Sequence, residues 1–547
     1  MTLITTVFSA FEAAASQYGE RPFLHVPASA CRGYSDSAIE RLYGETLSHV
    51  VALASAYERA GYGPGQRVGL VLENRPRFFE HFLALNRLGA SVVPISAELR
   101  AEELRYLVTH SGVALIVALP EHLGYVNDAL CDVDDSPAIV VDGPDALARL
   151  PQPKGPPRSG SADDEAALVY TSGTTARPKG CMLSNAYFLE CGRWYLAQGG
   201  VCAMELGQER LITPLPLNHS NALAWSFMAM VMSGGTLVQL DRFRTDDWWD
   251  AVRLSGATIV HYLGVMPAML LKRPPAPTDD IGAQIKFGFG AGVDPRHHQA
   301  FEARFGFPLI EAWATTETGA AAVIAANSPP RCVGTRCFGR PGPEIEHRLI
   351  DESGCDVPRG VPGELLVRRR GAQPRRFFFS GYHGDPAATA EVWQGDWFHT
   401  GDVVREDDDG LLYFVDRRKN IIRRSGENIA AVEVEGALLR HSAVRSCAAA
   451  PVRDDLRGEE VFACVILQDG AQPSAALAAE LCEFCRPLLA YFKLPGHIAF
   501  VDSLPLTGSQ KIQRARLKEL AGTLLAQGGA FDLTALKKRG GGTYNGG

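Results

Sequence analysis

The chain has 547 residues, more than one hydrophobic core supports, so two or more domains are expected. Its 46% hydrophobic and 21% charged residues fit a globular protein, and 54 Lys and Arg against 62 Asp and Glu (net charge −8) argue against a protein that holds nucleic acid by charge. The opening MTLITTVFSAFEAAASQYGERP lacks the basic start of a secretory signal. No uncharged apolar run reaches the ~18 residues of a membrane span. A cytoplasmic protein with no nucleic acid and no membrane span among its partners is expected.

The first half alternates strand-like and helical stretches. RVGLVLE (67–73) is a short apolar run, RFFEHFLALNRLG (77–89) has helical periodicity and ends on Gly, and SVVPI (91–95) is strand-like again. AEELRYLVTHSG (101–112) reads as a helix and ALIVAL follows as a strand. Such alternation implies βαβ units and a parallel sheet. PQPKGPPRSGSADD (151–164) reads as a loop, and AALVYT as a buried strand that runs into TSGTTARPKG at Thr171–Gly180. Near Trp397 the pattern changes. DWFHTGDVVRED and LLYFVD flank an Asp-Gly turn and read as a hairpin. DRRKN (416–420) is polar, and about a hundred residues with their own periodicity follow it. The fold class expected is α/β. A large N-terminal domain (1–416) of βαβ-type sheets flanked by helices carries a β-barrel-like subdomain. A hinge (417–420), a small mobile α+β C-terminal domain (421–530) and a flexible glycine-rich tail (531–547) complete the chain.

The 12 cysteines are scattered. Cys482 and Cys485 form a lone C-x-x-C, and Cys332 and Cys337 are near neighbours. A structural zinc site needs four ligands at regular spacing, so these read as small apolar residues.

A strand that opens into a Gly/Ser/Thr loop gathers backbone N–H groups and hydroxyls at one point, which suits phosphate. Lys179 adds a compact positive charge. The stretch is not a Walker A loop, because Pro178 precedes Lys179 and Gly180 follows it. Further motifs follow in order: EAWATTETG (311–319), FHTGD (398–402), DRRKNIIRRSGEN (416–428) and PLTGSQKIQR (505–514). With GASVVPI and SGYHGDPAATAE (380–391), they make the chain resemble the adenylate-forming superfamily of acyl-CoA synthetases, peptide-synthetase adenylation domains and firefly luciferases. NIIRRSGENIAAVEVE and FKLPGHIAFVDSLPLT resemble most the crotonobetaine/carnitine-CoA ligase branch.

The resemblance implies an acid–thiol ligase that uses ATP, Mg²⁺ and coenzyme A on a small carboxylic acid, with a homodimer among its assemblies. The acid would first become acyl-AMP with loss of pyrophosphate, and the coenzyme A thiol would then displace AMP. It implies a phosphate loop at Thr171, Ser172, Gly173, Thr174, Thr175 and Lys179. Thr316 would reach the α-phosphate, and Glu317 and Thr171 would serve the metal. Gly290, Ala291, Gly292, Ala312, Trp313, Ala314 and Thr315 would surround the adenine. Asp402 and Arg417 would hold the nucleotide, Gly426 would approach pantetheine, and Lys511 would be the catalytic lysine. Lys419 matches the pivot. His219, Asn221, Trp225, Met228, Phe289, Gly292 and Ala320 would line the acyl pocket, with His219 as the gate between acid and thiol.

Each residue also has a plainer reading. Asp402 caps a hairpin, Trp313 and Trp225 are core aromatics, Glu317 is a surface carboxylate, Lys511 is a solvated lysine and His219 a satisfied histidine. The ordered set favours the functional reading of Glu317, Asp402 and Lys511. Ala176, Trp313-Ala314 and Gln510 depart from the family's Gly, Tyr-Gly and Gly, and none removes a charge that the chemistry needs. Two other functions stay open: an adenylating enzyme that hands acyl-AMP to a partner, and a nucleotide-binding sensor or scaffold.

Overall fold

The computed structural model describes residues 4–99, 101–134, 136–143, 150–153, 164–171, 178–424, 427–454, 457–489, 491–506 and 512–537. The chain falls into two compact units. The first comprises Met1–Arg348, Leu366–Thr400 and Glu406–Tyr413. The second comprises Leu349–Leu365, Gly401–Arg405 and Phe414–Gly547.

Two large sheets organise the first unit. One has seven strands, in the order Gly381–Tyr382, Lys179–Ser184, Glu165–Thr171, Ser91–Pro94, Arg67–Val71, Leu115–Ala118 and Ala138–Val141. From Glu165–Thr171 onward the pairings are parallel, as the βαβ pattern requires. Glu165–Thr171 and Lys179–Ser184 pair antiparallel, with Thr171 opposite Lys179. The Ser/Thr/Gly stretch therefore connects two antiparallel strands, and residues 172–177 of it lie outside the described residues.

The other sheet has eight strands, in the order Ile324–Ala325, Leu309–Trp313, Phe287–Ala291, Ile259–Leu263, Arg210–Thr213, Thr236–Gln239, Pro22–Val26 and Ile39–Leu42. Its six inner strands are parallel and only the two edges are antiparallel. The helix Pro76–Arg87 is buried from Phe78 to Asn86 on every face, which marks a helix enclosed by other elements. Its Phe79 and Phe82 meet Phe23, Phe188 and Phe227 at ring distances of 5.3–6.0 Å. Its one buried cluster of charge is neutralised locally: Asp142 accepts from Arg77 (2.6 Å) and His81 (3.1 Å). The short strand Cys337–Gly339 pairs antiparallel at Tyr413 and Leu412.

The second unit is a sheet in the order Glu427–Ala430, Ile421–Arg424, Gly458–Leu467, His497–Phe500 and Phe531–Asp532, with Val444–Asp454 also paired to Gly458–Leu467. Strand alternation splits its core into two. Val461, Ala463 and Val465 face the helices Ala431–Leu438 and Ala475–Cys485, whereas Phe462 and Cys464 face Leu517 and Ala521 of the helix Arg514–Ala526. Cys482 and Cys485 are fully buried in the first of these cores.

Two differences from the sequence reading stand out. Leu349–Leu365 and Gly401–Arg405, read as part of residues 1–416, fall in the second unit, within which Arg418 pairs with Glu364 (2.6 Å) and Arg417 with Asp402 (2.6 Å). The flexible tail was placed from residue 531, yet Phe531–Asp532 adds a strand and Lys537 is buried on Glu460. Arg424 donates to the same Glu460 carboxylate (2.7 Å), so one buried anion holds two buried cations. Glu460→Ala strands both, which is expected to cost about 3–5 kcal/mol. A thermal melt followed by circular dichroism should show a clearly lowered midpoint, and an unchanged one would show that neither cation depends on this anion.

Candidate active site

In parallel sheets ligands gather beyond the carboxyl ends of the strands. The first unit carries its site residues there. Thr171 ends its strand, Ala291 and Trp313 end theirs, and the loop Thr315–Gly319 follows Trp313 directly.

That loop is fixed by its own hydroxyls. The Thr315 N–H donates to Thr318 Oγ1 (2.9 Å), the Thr318 N–H to Thr315 Oγ1 (3.2 Å) and the Gly319 N–H to the Thr315 carbonyl (3.0 Å). Gly319 has φ +47°, and a Cβ there would run into the Tyr187 ring. Tyr187 uses this close approach to donate to the Thr316 carbonyl (3.0 Å). The Thr316 hydroxyl lies 3.3 Å from Ser220 Oγ, next to His219.

Glu317 is held at both ends. Its carbonyl accepts from the Phe379 N–H (2.8 Å), and its Oε1 accepts from the Tyr382 hydroxyl (2.8 Å) and the Cys181 thiol (3.9 Å). Burial and the neighbouring Glu317 charge push the Tyr382 phenol and the Cys181 thiol up, so both stay protonated and donate. Cys181 Sγ also lies 4.0 Å from Thr171 Oγ1. Lys179 Nζ stands 4.9 Å from the centre of the Tyr382 ring, a cation–π distance. Thr171, Lys179, Thr316 and Glu317 are thus brought to one region.

The glycine stretch is positioned by a residue that the sequence reading left without a role. Glu311 is buried in the strand beside it and accepts from the Gly292 N–H (3.0 Å), the Val293 N–H (3.1 Å) and the Tyr262 hydroxyl (3.0 Å). Burial raises its carboxyl, and the donors oppose that shift. A Cβ on Gly290 would overlap the Tyr262 carbonyl oxygen, whereas Gly292, at φ +80°, has open space. Ala291 and Gly292 present exposed backbone, which a flat base can approach. Trp313 is 6% exposed, its ring 6.2 Å from Phe338. Ala312 and Thr315 are half-buried and Ala314 is exposed.

Of the residues expected to line an acyl pocket, Asn221 and Trp225 lie on a π-helical turn, Asn221–Ser226, a form often found at functional sites. Trp225 and Phe289 both pack on Trp194, at 5.5 and 5.7 Å. Trp194 carries no motif, and its helix Asn185–Ala197 gives no signal for it. His219 is exposed, Ala320 is buried, and Met228 is fully buried in the helix Phe227–Ser233.

In the second unit Asp402 is 1% exposed and its Oδ1 takes the Arg417 Nε. Asp416 accepts from the Arg417 N–H (2.7 Å), Asn420 Nδ2 (3.1 Å) and the Val432 N–H (3.3 Å), pinning the turn Arg418–Asn420 that contains Lys419. Ser172, Gly173, Thr174, Thr175, Gly426 and Lys511 lie outside the described residues.

Residues 11–383 match the family described as AMP-binding enzyme, and residues 433–511 match its C-terminal domain. The chain belongs to the AMP-binding enzyme family. This AMP-binding enzyme is 32% identical over 519 residues to the sulfoacetate–CoA ligase of Cupriavidus necator, spanning 92% of this chain and 95% of that protein. It is 30% identical over 492 residues to the crotonobetaine/carnitine–CoA ligase of Citrobacter koseri, spanning 87% and 92%. Among solved structures it is similar to the amide bond synthetase McbA of Marinactinospora thermotolerans (26% identity, TM-score 0.77, 94% and 99% covered). The fold is also that of o-succinylbenzoate CoA synthetase from Bacillus subtilis with its acyl-adenylate (23% identity, TM-score 0.77, 93% and 97% covered).

Among the described residues of this AMP-binding enzyme, no group of three or more His, Cys, Asp and Glu could hold a metal ion, and no helix is long and apolar enough to cross a membrane. The half-exposed Glu317 carboxylate fits Mg²⁺, which takes one or two carboxylates and completes its shell with water and substrate phosphate.

Glu311→Ala frees two backbone amides beside the glycine stretch. The Michaelis constant for ATP is expected to rise about tenfold, since each lost hydrogen bond is worth about 1 kcal/mol. ATP–pyrophosphate exchange measures it, and an unchanged constant would mean that the loop keeps its shape without Glu311.

Proposed function

We propose that the chain is an ATP-dependent acyl-CoA ligase acting on a compact aromatic or polar carboxylic acid. The observation that carries this reading is the convergence of Thr171, Lys179, Thr316 and Glu317, with Thr316 and Glu317 on the loop after the strand that pairs with the one ending in exposed Ala291. The chain's similarity to CoA ligases along most of its length supports it.

In the first half-reaction a carboxylate oxygen bonds to the α-phosphorus of ATP, and the bond to pyrophosphate breaks. In the second, the coenzyme A sulfur bonds to the acyl carbon, AMP leaves with the electron pair, and the thiol proton is released. Catalysis here is positioning and charge neutralisation. Lys179 and the hydroxyls of residues 171–175 hold the phosphates, Thr316 the α-phosphate, and the Gly290–Gly292 backbone with Trp313 the adenine. Glu317 holds Mg²⁺, which neutralises phosphate charge when bound. Asp402 and Arg417 hold the ribose side, and Lys511 stabilises the five-coordinate phosphorus. Trp225, Phe289 and Trp194 favour a ring or a compact acid over a long chain. A second reading, in which acyl-AMP passes to another acceptor such as an amine, draws support from the similarity to an amide bond synthetase.

The test is a panel of acids with ATP and Mg²⁺, with and without coenzyme A, following pyrophosphate and thioester separately. Acid-dependent pyrophosphate release with thioester formation is expected. Pyrophosphate without thioester favours the second reading, nucleotide binding without either product favours a sensor, and efficient turnover of palmitate contradicts the proposed acid class.

Lys511→Ala is expected to slow adenylation about 10²–10³-fold, the usual cost of losing one transition-state donor. Thioester formation from supplied acyl-AMP should fall far less, and an equal loss in both halves contradicts the role.

Lys511 and residues 425–428 serve different half-reactions in this reading, so it includes a rotation about residues 417–420. Proline fixes φ and removes an N–H. Lys419→Pro should therefore spare acyl-AMP formation and block transfer to coenzyme A in a single-turnover assay. Normal thioester release would place the pivot elsewhere.

A further inference from the structure

Behind the aromatic wall lies a buried polar network that none of the motifs contains. His261, on the strand Ile259–Leu263, is fully buried, with its ring 5.6 Å from Phe289. Its Nε2 is 2.6 Å from the Tyr195 hydroxyl, and its Nδ1 is 2.7 Å from Ser226 Oγ and 3.1 Å from Asn221 Oδ1. Asn221 and Ser226 are the two ends of the π-helical turn that carries Trp225.

The proton positions follow from the partners. Burial pushes the imidazole pKa down to about 3, so the ring is neutral, with one donor and one acceptor nitrogen. Burial also keeps the Tyr195 phenol protonated, and among the described residues its only acceptor is Nε2. Nε2 therefore accepts, and the proton sits on Nδ1. The Nδ1–H donates to Ser226 Oγ and Asn221 Oδ1, while the Ser226 hydroxyl donates to the Asn221 carbonyl (3.2 Å). A flipped Asn221 amide would set its N–H₂ against Nδ1–H, donor against donor. With Oδ1 committed inward, Asn221 Nδ2 is left without an acceptor among the described residues, and Asn221 is half-exposed.

We propose that Tyr195 and His261 are positioning residues that lock the Asn221 amide with its N–H₂ toward the acyl pocket, where it selects acids bearing a hydrogen-bond acceptor beside the aromatic wall. This inference rests on the ligase reading and narrows its acid class to those with a carbonyl, sulfonyl or similar oxygen next to a compact or aromatic body. A site that offers a fixed donor rejects the analogue without the matching acceptor, because the donor is desolvated and left unpaired.

The experiment compares matched acids of nearly equal shape: 4-oxopentanoate with 4-methylpentanoate, and 3-acetylbenzoate with 3-isopropylbenzoate. The readout is kcat/KM for pyrophosphate release. The wild-type enzyme is expected to prefer the ketone of at least one pair by roughly fivefold to tenfold, the worth of one hydrogen bond. Asn221→Leu should bring that ratio to about one, and Asn221→Asp, which replaces the donor by an acceptor, should invert it. Tyr195→Phe keeps the ring and frees the imidazole tautomer, so the ratio should fall through KM for the ketone. Circular dichroism melts confirm that each variant is folded. Equal use of both members by the wild type, or a ratio unchanged in Asn221→Leu, overturns the inference. So does rejection of all four acids while others of the panel react. Silence with every acid overturns the ligase reading itself.

Discussion

The hydrogen bond from the Tyr382 hydroxyl to the Glu317 carboxylate is the tie on which the grouping of Thr171, Lys179, Thr316 and Glu317 depends. Tyr382 belongs to an edge strand, Glu317 to the loop after the strand Leu309–Trp313, and the strand Lys179–Ser184 between them supplies Cys181 and Lys179. The Phe379 N–H fixes the Glu317 backbone at the same place. Tyr382 gives its hydroxyl to the anion and its ring face to the lysine, so one side chain touches both charges.

The glycine stretch Gly290–Gly292 is held in the opposite way. Glu311 is a buried carboxylate, a costly feature unless it is fully hydrogen-bonded. Its three donors are two backbone amides and one tyrosine hydroxyl, and the two amides belong to the turn that follows the strand Phe287–Ala291. The free energy of burying a charge is thereby tied to the shape of a loop. Gly290 permits the close approach of Tyr262, and Gly292 permits the turn in the left-handed region. Rigid elements carry the site, and side chains from the neighbouring strands hold it in place before any ligand arrives.

The aromatic wall around Trp194 shows the same construction with a different outcome. The π-helical turn widens the chain at Asn221–Ser226 so that both of its ends reach one imidazole. Trp225, between them, is turned onto Trp194 and so toward Phe289. The wall is aromatic, and the polar network behind it centres on a histidine that burial keeps neutral.

By itself the sequence determined the local features. The alternation of apolar runs and amphipathic helices in residues 67–118 specified a parallel sheet, because strand and helix periodicities are written in neighbouring residues. The glycines of GFGAG and the hydroxyls of ATTETG were legible for the same reason, since their turns close within a few residues. Tertiary structure alone decided the partners: Tyr382 for Glu317, Glu311 for Gly292, Trp194 for Trp225 and Phe289, His261 for Asn221. It also decided that Phe531–Lys537 is part of a sheet and a buried charge cluster, where composition had suggested a loose tail. These contacts join residues from 19 to 95 positions apart. No period or turn signal links such residues, and only the stacking of strands and helices brings them within reach.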